Sequence, residues 1–176
     1  MKARYRLAII IPVIFKFYDM VREDDDVLIF AYESKKIFNV ARLITSYRMR
    51  DLADKEGNLT GEPLAMTRDE RDIFDVVVKN AAMIVVDELS KLAQMETEMF
   101  FIDKNRLIFN VTNYKKHNIN TLNSIDIAIF NVLYNSCIAQ FYDIVNQKEQ
   151  AEIYRVKLAE AQSALHDRCF ELRKIR

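Results

Sequence analysis

Residues 98–111 read "EMFFIDKNRLIFNV". Two runs of aromatic and branched residues, 98–103 and 106–111, flank Lys104-Asn105. Such residues favour strands, and asparagine tolerates the positive φ that a two-residue hairpin turn requires. The stretch therefore reads as a β-hairpin. An isolated hairpin is marginal in water, so this one requires a third strand. The apolar N-terminal segment is the supplier within the chain, and strand addition from another copy is the alternative. The other long patterned stretches read as helices. The expected fold class is mainly α with a small β element: about four helices, a β-hairpin and an N-terminal strand.

Working outward, "TRDERDIFDVVVKNAAMIVVDELSKLA" (67–93) opens with a capping box, Thr67 with Glu70. Ile73, Phe74, Val77, Ala81, Ile84, Val85 and Leu89 form a wide apolar stripe, so this helix is largely buried. Downstream, "TLNSIDIAIFNVLYNSCIAQFYDIVNQ" (121–147) is apolar on more than one side, as a helix enclosed by neighbours is. From about Gln147 a last helix runs to the final residue. Tyr154, Leu158, Ala161, Leu165, Arg168 and Leu172 give it a narrow seam, and no glycine or proline stops it.

Upstream, Val27, Phe30, Ala31, Ile37, Phe38, Ala41, Ile44 and Tyr47 fit one helical face. The run Glu23-Asp24-Asp25-Asp26 would then cap that helix and favour the positive end of its dipole. A calcium loop would need alternating ligands and a glycine turn. The stretch "RMRDLADKEGNLTGEPLAM" (48–66) is the one long loop, holding Gly57 and Gly61, the only glycines. At the start, "RLAIIIPVIFKF" (6–17) has nine uninterrupted apolar residues, Leu7–Phe15, too few to span a bilayer. It reads as a strand, Tyr5–Ile11, continued as Val13–Tyr18, with Pro12 at an edge or bend. A secretory signal is the weaker reading, because Lys16 interrupts the run and no small-residue cleavage site follows.

Composition narrows the function. The 176 residues suit one domain, and 26 basic residues balance 26 acidic ones. A dedicated nucleic-acid binder carries a basic excess. The patch "NYKKHN" (113–118) is too small to carry affinity for a phosphate backbone alone. Two glycines leave no material for a phosphate-cradling loop. Two cysteines, Cys137 and Cys169, do not make a disulfide framework and are expected as reduced thiols. His166 and Cys169 lie at i and i+3 on a helix, yet no third or fourth metal ligand is evident, and His117 sits in a polar connector. The carboxylate pairs Asp69/Asp72 and Asp87/Glu88 read as solvated faces. No catalytic residue, metal or cofactor is expected, and the chain reads as a structural or interaction protein rather than an enzyme.

The layout resembles the head–tail connector proteins of tailed bacteriophages, also called neck, ring or head-completion proteins. The resemblance lies in "VARLITSYRMRD" (40–51), the loop and "TRDERDIFDVVVKNA" (67–81), which are similar to the opening helices of connectors from phages and prophages of Bacteroides-like hosts. A second region, 122–176, resembles the closing helix and C-terminal arm of that family. The resemblance covers about two thirds of the chain and is one of layout. It implies a homo-oligomeric ring, usually twelvefold, below the portal. DNA would pass through it without sequence recognition, no membrane would be involved, and the protein would reside in the virion after assembly in the host cytoplasm.

On that reading residues 1–146 form the connector domain and 147–176 an arm. Subunit contacts fall on Phe100, Ile102, Ile108 and Phe109 of the hairpin. Portal contacts fall on Tyr154, Leu158, Leu165, Arg168, Phe170, Leu172, Arg173, Lys174 and Arg176. A tail or further neck protein would be the other partner. The alternative is a cytosolic helical adaptor or regulator that dimerises through its C-terminal helix.

Overall fold

The computed structural model describes residues 20–24, 27–51, 65–67, 70–93, 96–102, 105–112 and 119–172. The expected strands Tyr5–Ile11 and Val13–Tyr18, residues 52–64 of the expected loop, His117 and the tip residues Arg173, Lys174 and Arg176 lie outside these residues, while residues 48–51, expected in that loop, are helical. The described chain is mainly α with a small β element, as the sequence implies. Its elements are β1 (Met20–Asp24), β2 (Val27–Glu33), α1 (Ser34–Asp51), α2 (Arg71–Ala93), β3 (Glu96–Ile102), β4 (Arg106–Thr112), α3 (Ile119–Ile144) and α4 (Lys148–Leu172).

The strands form one antiparallel sheet in the order β1-β2-β4-β3. The hairpin at 98–111 is present as β3 and β4, which pair from Glu96↔Thr112 to Ile102↔Arg106. Among the described residues outside glycine, positive φ occurs at Asn146 rather than at Asn105.

The third strand is β2, and here the sequence reading needs correction. Residues 27–33 are not the first turns of a helix. They pair with β1 from Met20↔Ala31 to Asp24↔Val27 and with β4 from Leu28↔Val111 to Glu33↔Arg106. Glu23 and Asp24 accordingly belong to a strand and do not cap a helix. The physical reason is the composition of "VLIFAYE". Its apolar residues satisfy a period of two as well as a helical one, and branched and aromatic side chains suit a central strand. Helix α1 starts only at Ser34, whose N–H donates to the Asn105 carbonyl at 2.8 Å, so the β3–β4 turn supports the strand-to-helix transition.

The Thr67–Glu70 reading holds in part: the Thr67 N–H donates to a Glu70 carboxylate oxygen just ahead of α2. One cluster joins all four helices to one face of the sheet. It includes Leu28, Phe30, Tyr32, Leu107, Phe109 and Val111 from the strands, Phe74, Val78 and Val85 from α2, and Ile125, Val132 and Phe141 from α3. Helix α3 is enclosed on several sides, as its sequence suggests. It is long and apolar enough to cross a membrane by length and composition, but 61% of its most apolar window is buried inside the fold.

Between α3 and α4 the chain turns within three residues. Asn146 adopts φ 59°. The Gln147 N–H donates to Tyr142 O at 2.8 Å and the Asn146 N–H to Asp143 O at 3.1 Å. This is a Schellman closure, with asparagine at the left-handed position usually held by glycine. The Gln147 carbonyl then accepts from the Ala151 N–H at 2.9 Å and starts α4.

Candidate functional site

The sharp reversal at Asn146 returns α4 along α3, and that decides the fate of the C-terminal seam. Ala151, Tyr154, Ala161, Leu165 and Cys169 are buried in the common core, and Leu158 packs against it half-buried. Tyr154 stacks on Tyr142 with ring centroids 5.8 Å apart. Arg168 donates through a guanidinium nitrogen to the Ser124 carbonyl of α3 at 2.7 Å. The expected portal contacts Tyr154, Leu158, Leu165 and Arg168 are therefore occupied within the chain, and residues 148–172 pack as part of the bundle rather than as a detached arm. The seam faces the neighbouring helices α2 and α3. Phe170, by contrast, is outward and 61% exposed. Leu172 ends α4 with only its backbone described.

The hairpin candidates divide in a similar way. Phe109 is fully buried in the core and Ile108 is 8% exposed. Neither side chain is open to a neighbouring subunit in this fold. Phe100 and Ile102 lie on β3, where the backbone is described, opposite Ile108 and Arg106. Their strand is an edge. Among the described residues β1 and β3 bound the sheet on its two sides.

Polar chemistry concentrates at one place that sequence spacing does not reveal. The Tyr32 hydroxyl of β2 donates to Asp126 Oδ1 of α3 at 2.7 Å, and contacts the Asp126 carbonyl at 3.2 Å. Phe109 and Phe130 flank the Tyr32 ring at 6.1 and 6.2 Å. Burial raises the Asp126 carboxyl above its ordinary value, against the hydrogen bond from Tyr32 and the charge of Lys36. The Tyr32 hydroxyl is raised well above its usual range, first by burial and then by Asp126. This pair holds a proton between sheet and helix. Its two partners are 94 residues apart, so no local motif could announce it.

A second clamp surrounds Arg71 at the start of α2. Its guanidinium lies 5.2 Å from the Phe38 ring centroid and 5.7 Å from that of Phe74. It donates to the fully buried Ser34 hydroxyl at 3.2 Å and pairs with Asp75 at 3.2 Å. The clamp ties α2 to the junction of β2 and α1. An open groove of about 490 Å³ lies nearby, lined by Asn39, Arg42, Leu43 and Ser46 of α1 with residues 65–67.

Burial pushes the Cys137 thiol up and, with Glu88, raises Cys169 to about 12, so both remain protonated. His166 is half-exposed and lies 3.7 Å from Asp167, while Cys169 is buried. Glu88 accepts from Gln162 at 2.8 Å. No group of three or more metal-ligating residues occurs among the described residues.

No family model matches the chain. No curated protein and no solved structure matches it either.

Proposed function

We propose that this chain is a structural assembly subunit that forms a homo-oligomeric ring at a phage neck, joining portal to tail around the DNA channel. The observation that carries the assembly reading is the sheet with two different edges. Along β1-β2-β4-β3 the strands alternate in direction, so β1 and β3 run oppositely. The β3 of one copy can therefore add to the β1 of the next and keep the antiparallel pattern. Two unlike edges make a head-to-tail contact, the kind from which rings close. The placement of that ring at a neck rests on the resemblance of layout alone.

Electron microscopy of the full chain, alone and mixed with a portal protein, tests the reading. Rings under either condition support it. A uniformly monomeric or dimeric particle under both overturns it.

The adaptor reading draws on a different observation, the exposure of Val156 (54%) and Phe170 (61%) on the outward side of α4. Because α4 belongs to the core, its removal cannot test dimerisation cleanly. Substitutions Val156→Lys and Phe170→Glu on the intact chain can. A tight dimer in sedimentation that both substitutions dissociate favours the adaptor.

A further inference from the structure

The ladders of the sheet line its residues up in rows that run from edge to edge. Arg22 of β1 lies opposite Ile29, Ile29 opposite Asn110, and Asn110 opposite Glu98 of β3. The neighbouring rows run from Val21 to Met99 and from Met20 to Phe100. Residues directly opposite one another in an antiparallel pair share a face, so each row ends at β1 and at β3 with residues of one face. The backbone agrees. A strand residue directs its N–H and C=O to the same side, so hydrogen-bonded and non-hydrogen-bonded pairs alternate along a row. Each row crosses three ladders, and its first and last pairs are therefore of one kind. Its two end residues both direct their backbone groups outward or both inward. A further antiparallel ladder requires that match at directly opposed positions.

We propose that β3 of one copy adds to β1 of the next in the register that continues these rows, with Arg22 opposite Glu98, Val21 opposite Met99 and Met20 opposite Phe100. The partner at each edge is thus a second copy of this chain. The inference rests on the ring reading and specifies its contact. Charge and hydropathy select the register. It engages all five residues of β1. It brings an arginine to the exposed Glu98 and sets apolar residues against apolar ones at two further positions. Its unfavourable pair, Asp24 with Glu96, falls at the ends of both strands, where strands fray. A slip by one residue exchanges the faces. A slip by two in one direction sets Asp24 against Glu98 and Arg22 against Phe100. In the other direction Met20 meets Glu98, and Glu23 and Asp24 run past the start of β3. Two unlike edges matched in this way give a head-to-tail contact.

Charge reversal on the full chain tests the register, under whichever condition the parent forms rings. Arg22→Glu alone and Glu98→Arg alone each put like charges together at every contact. Each variant is expected to need about fivefold more protein to assemble in sedimentation, as cross-strand charge pairs imply, with far-ultraviolet circular dichroism unchanged. Mixing the two single variants restores complementarity: altered strand meets altered strand, and unaltered meets unaltered. The equimolar mixture is expected to assemble at the parent's concentration, which separates a lost contact from a lost fold. Reversals that leave assembly unchanged overturn the register while the ring reading stands. Weakened assembly that mixing does not recover also overturns the register. A parent chain that forms no rings, alone or with a portal protein, overturns the ring reading and the register with it.

Discussion

Asn146 and Asp126 show how single residues control this molecule in different ways. At Asn146 the backbone is left-handed, a region that costs an ordinary residue about 1–2 kcal/mol. Asn146→Ala should therefore lower stability by about 1 kcal/mol, and Asn146→Gly should preserve or raise it; urea midpoints of the two variants measure the difference. Asp126 acts through a proton. Burial raises its carboxyl above the ordinary 3.8, so the folded state binds that proton more readily than the unfolded chain. The stabilising contribution is full below the ordinary value and is lost as pH rises through the raised one. The expected outcome is that Asp126→Asn, whose side-chain oxygen can still accept from Tyr32, loses less stability than the parent chain as pH rises from the ordinary value through the raised one. Denaturation across that range reads it directly. Neither residue was legible as special in the sequence: one depends on backbone angle, and the other on a partner 94 positions away.

Among the elements, α4 gives the sharpest contrast. Its seam was readable as a line of apolar residues, but a line does not say what covers it. The Schellman turn answers by reversing the chain against α3. Leu165 is fully buried there, so Leu165→Ala should destabilise the whole protein by about 2–5 kcal/mol, as in other large-to-small core changes. Val156→Lys, on the outward side, should fall within about 0.5 kcal/mol of the parent. Hydrogen exchange adds an independent check: residues 151–165 should exchange as slowly as the centre of α2, because both belong to one core. Fast exchange would return α4 to the status of a free arm. Strand β2 teaches the complementary lesson. "VLIFAYE" satisfies a strand period and a helical one, and only pairing with β1 and β4 chose between them. The 98–111 hairpin was legible because its two runs and its turn are contiguous.

For the whole molecule, the open question is how the sheet edges are used. Adjacent residues of an edge strand direct their N–H groups to opposite sides. Of Glu98→Pro and Met99→Pro, one variant therefore breaks the outward edge of β3 while sparing the ladder to β4. If rings assemble through β3 and β1, that variant should lose rings in electron microscopy and keep its helical circular dichroism. Rings that survive both proline variants would place the subunit contact elsewhere. The fold class and the order of most helices followed from periodicity and composition, because those signals are local and each helix carries its own apolar pattern. Which apolar surfaces face inward, which strand completes the sheet and where a proton is held were decided only in three dimensions. Burial and pairing are properties of neighbours, and a sequence lists residues without saying which distant ones will meet.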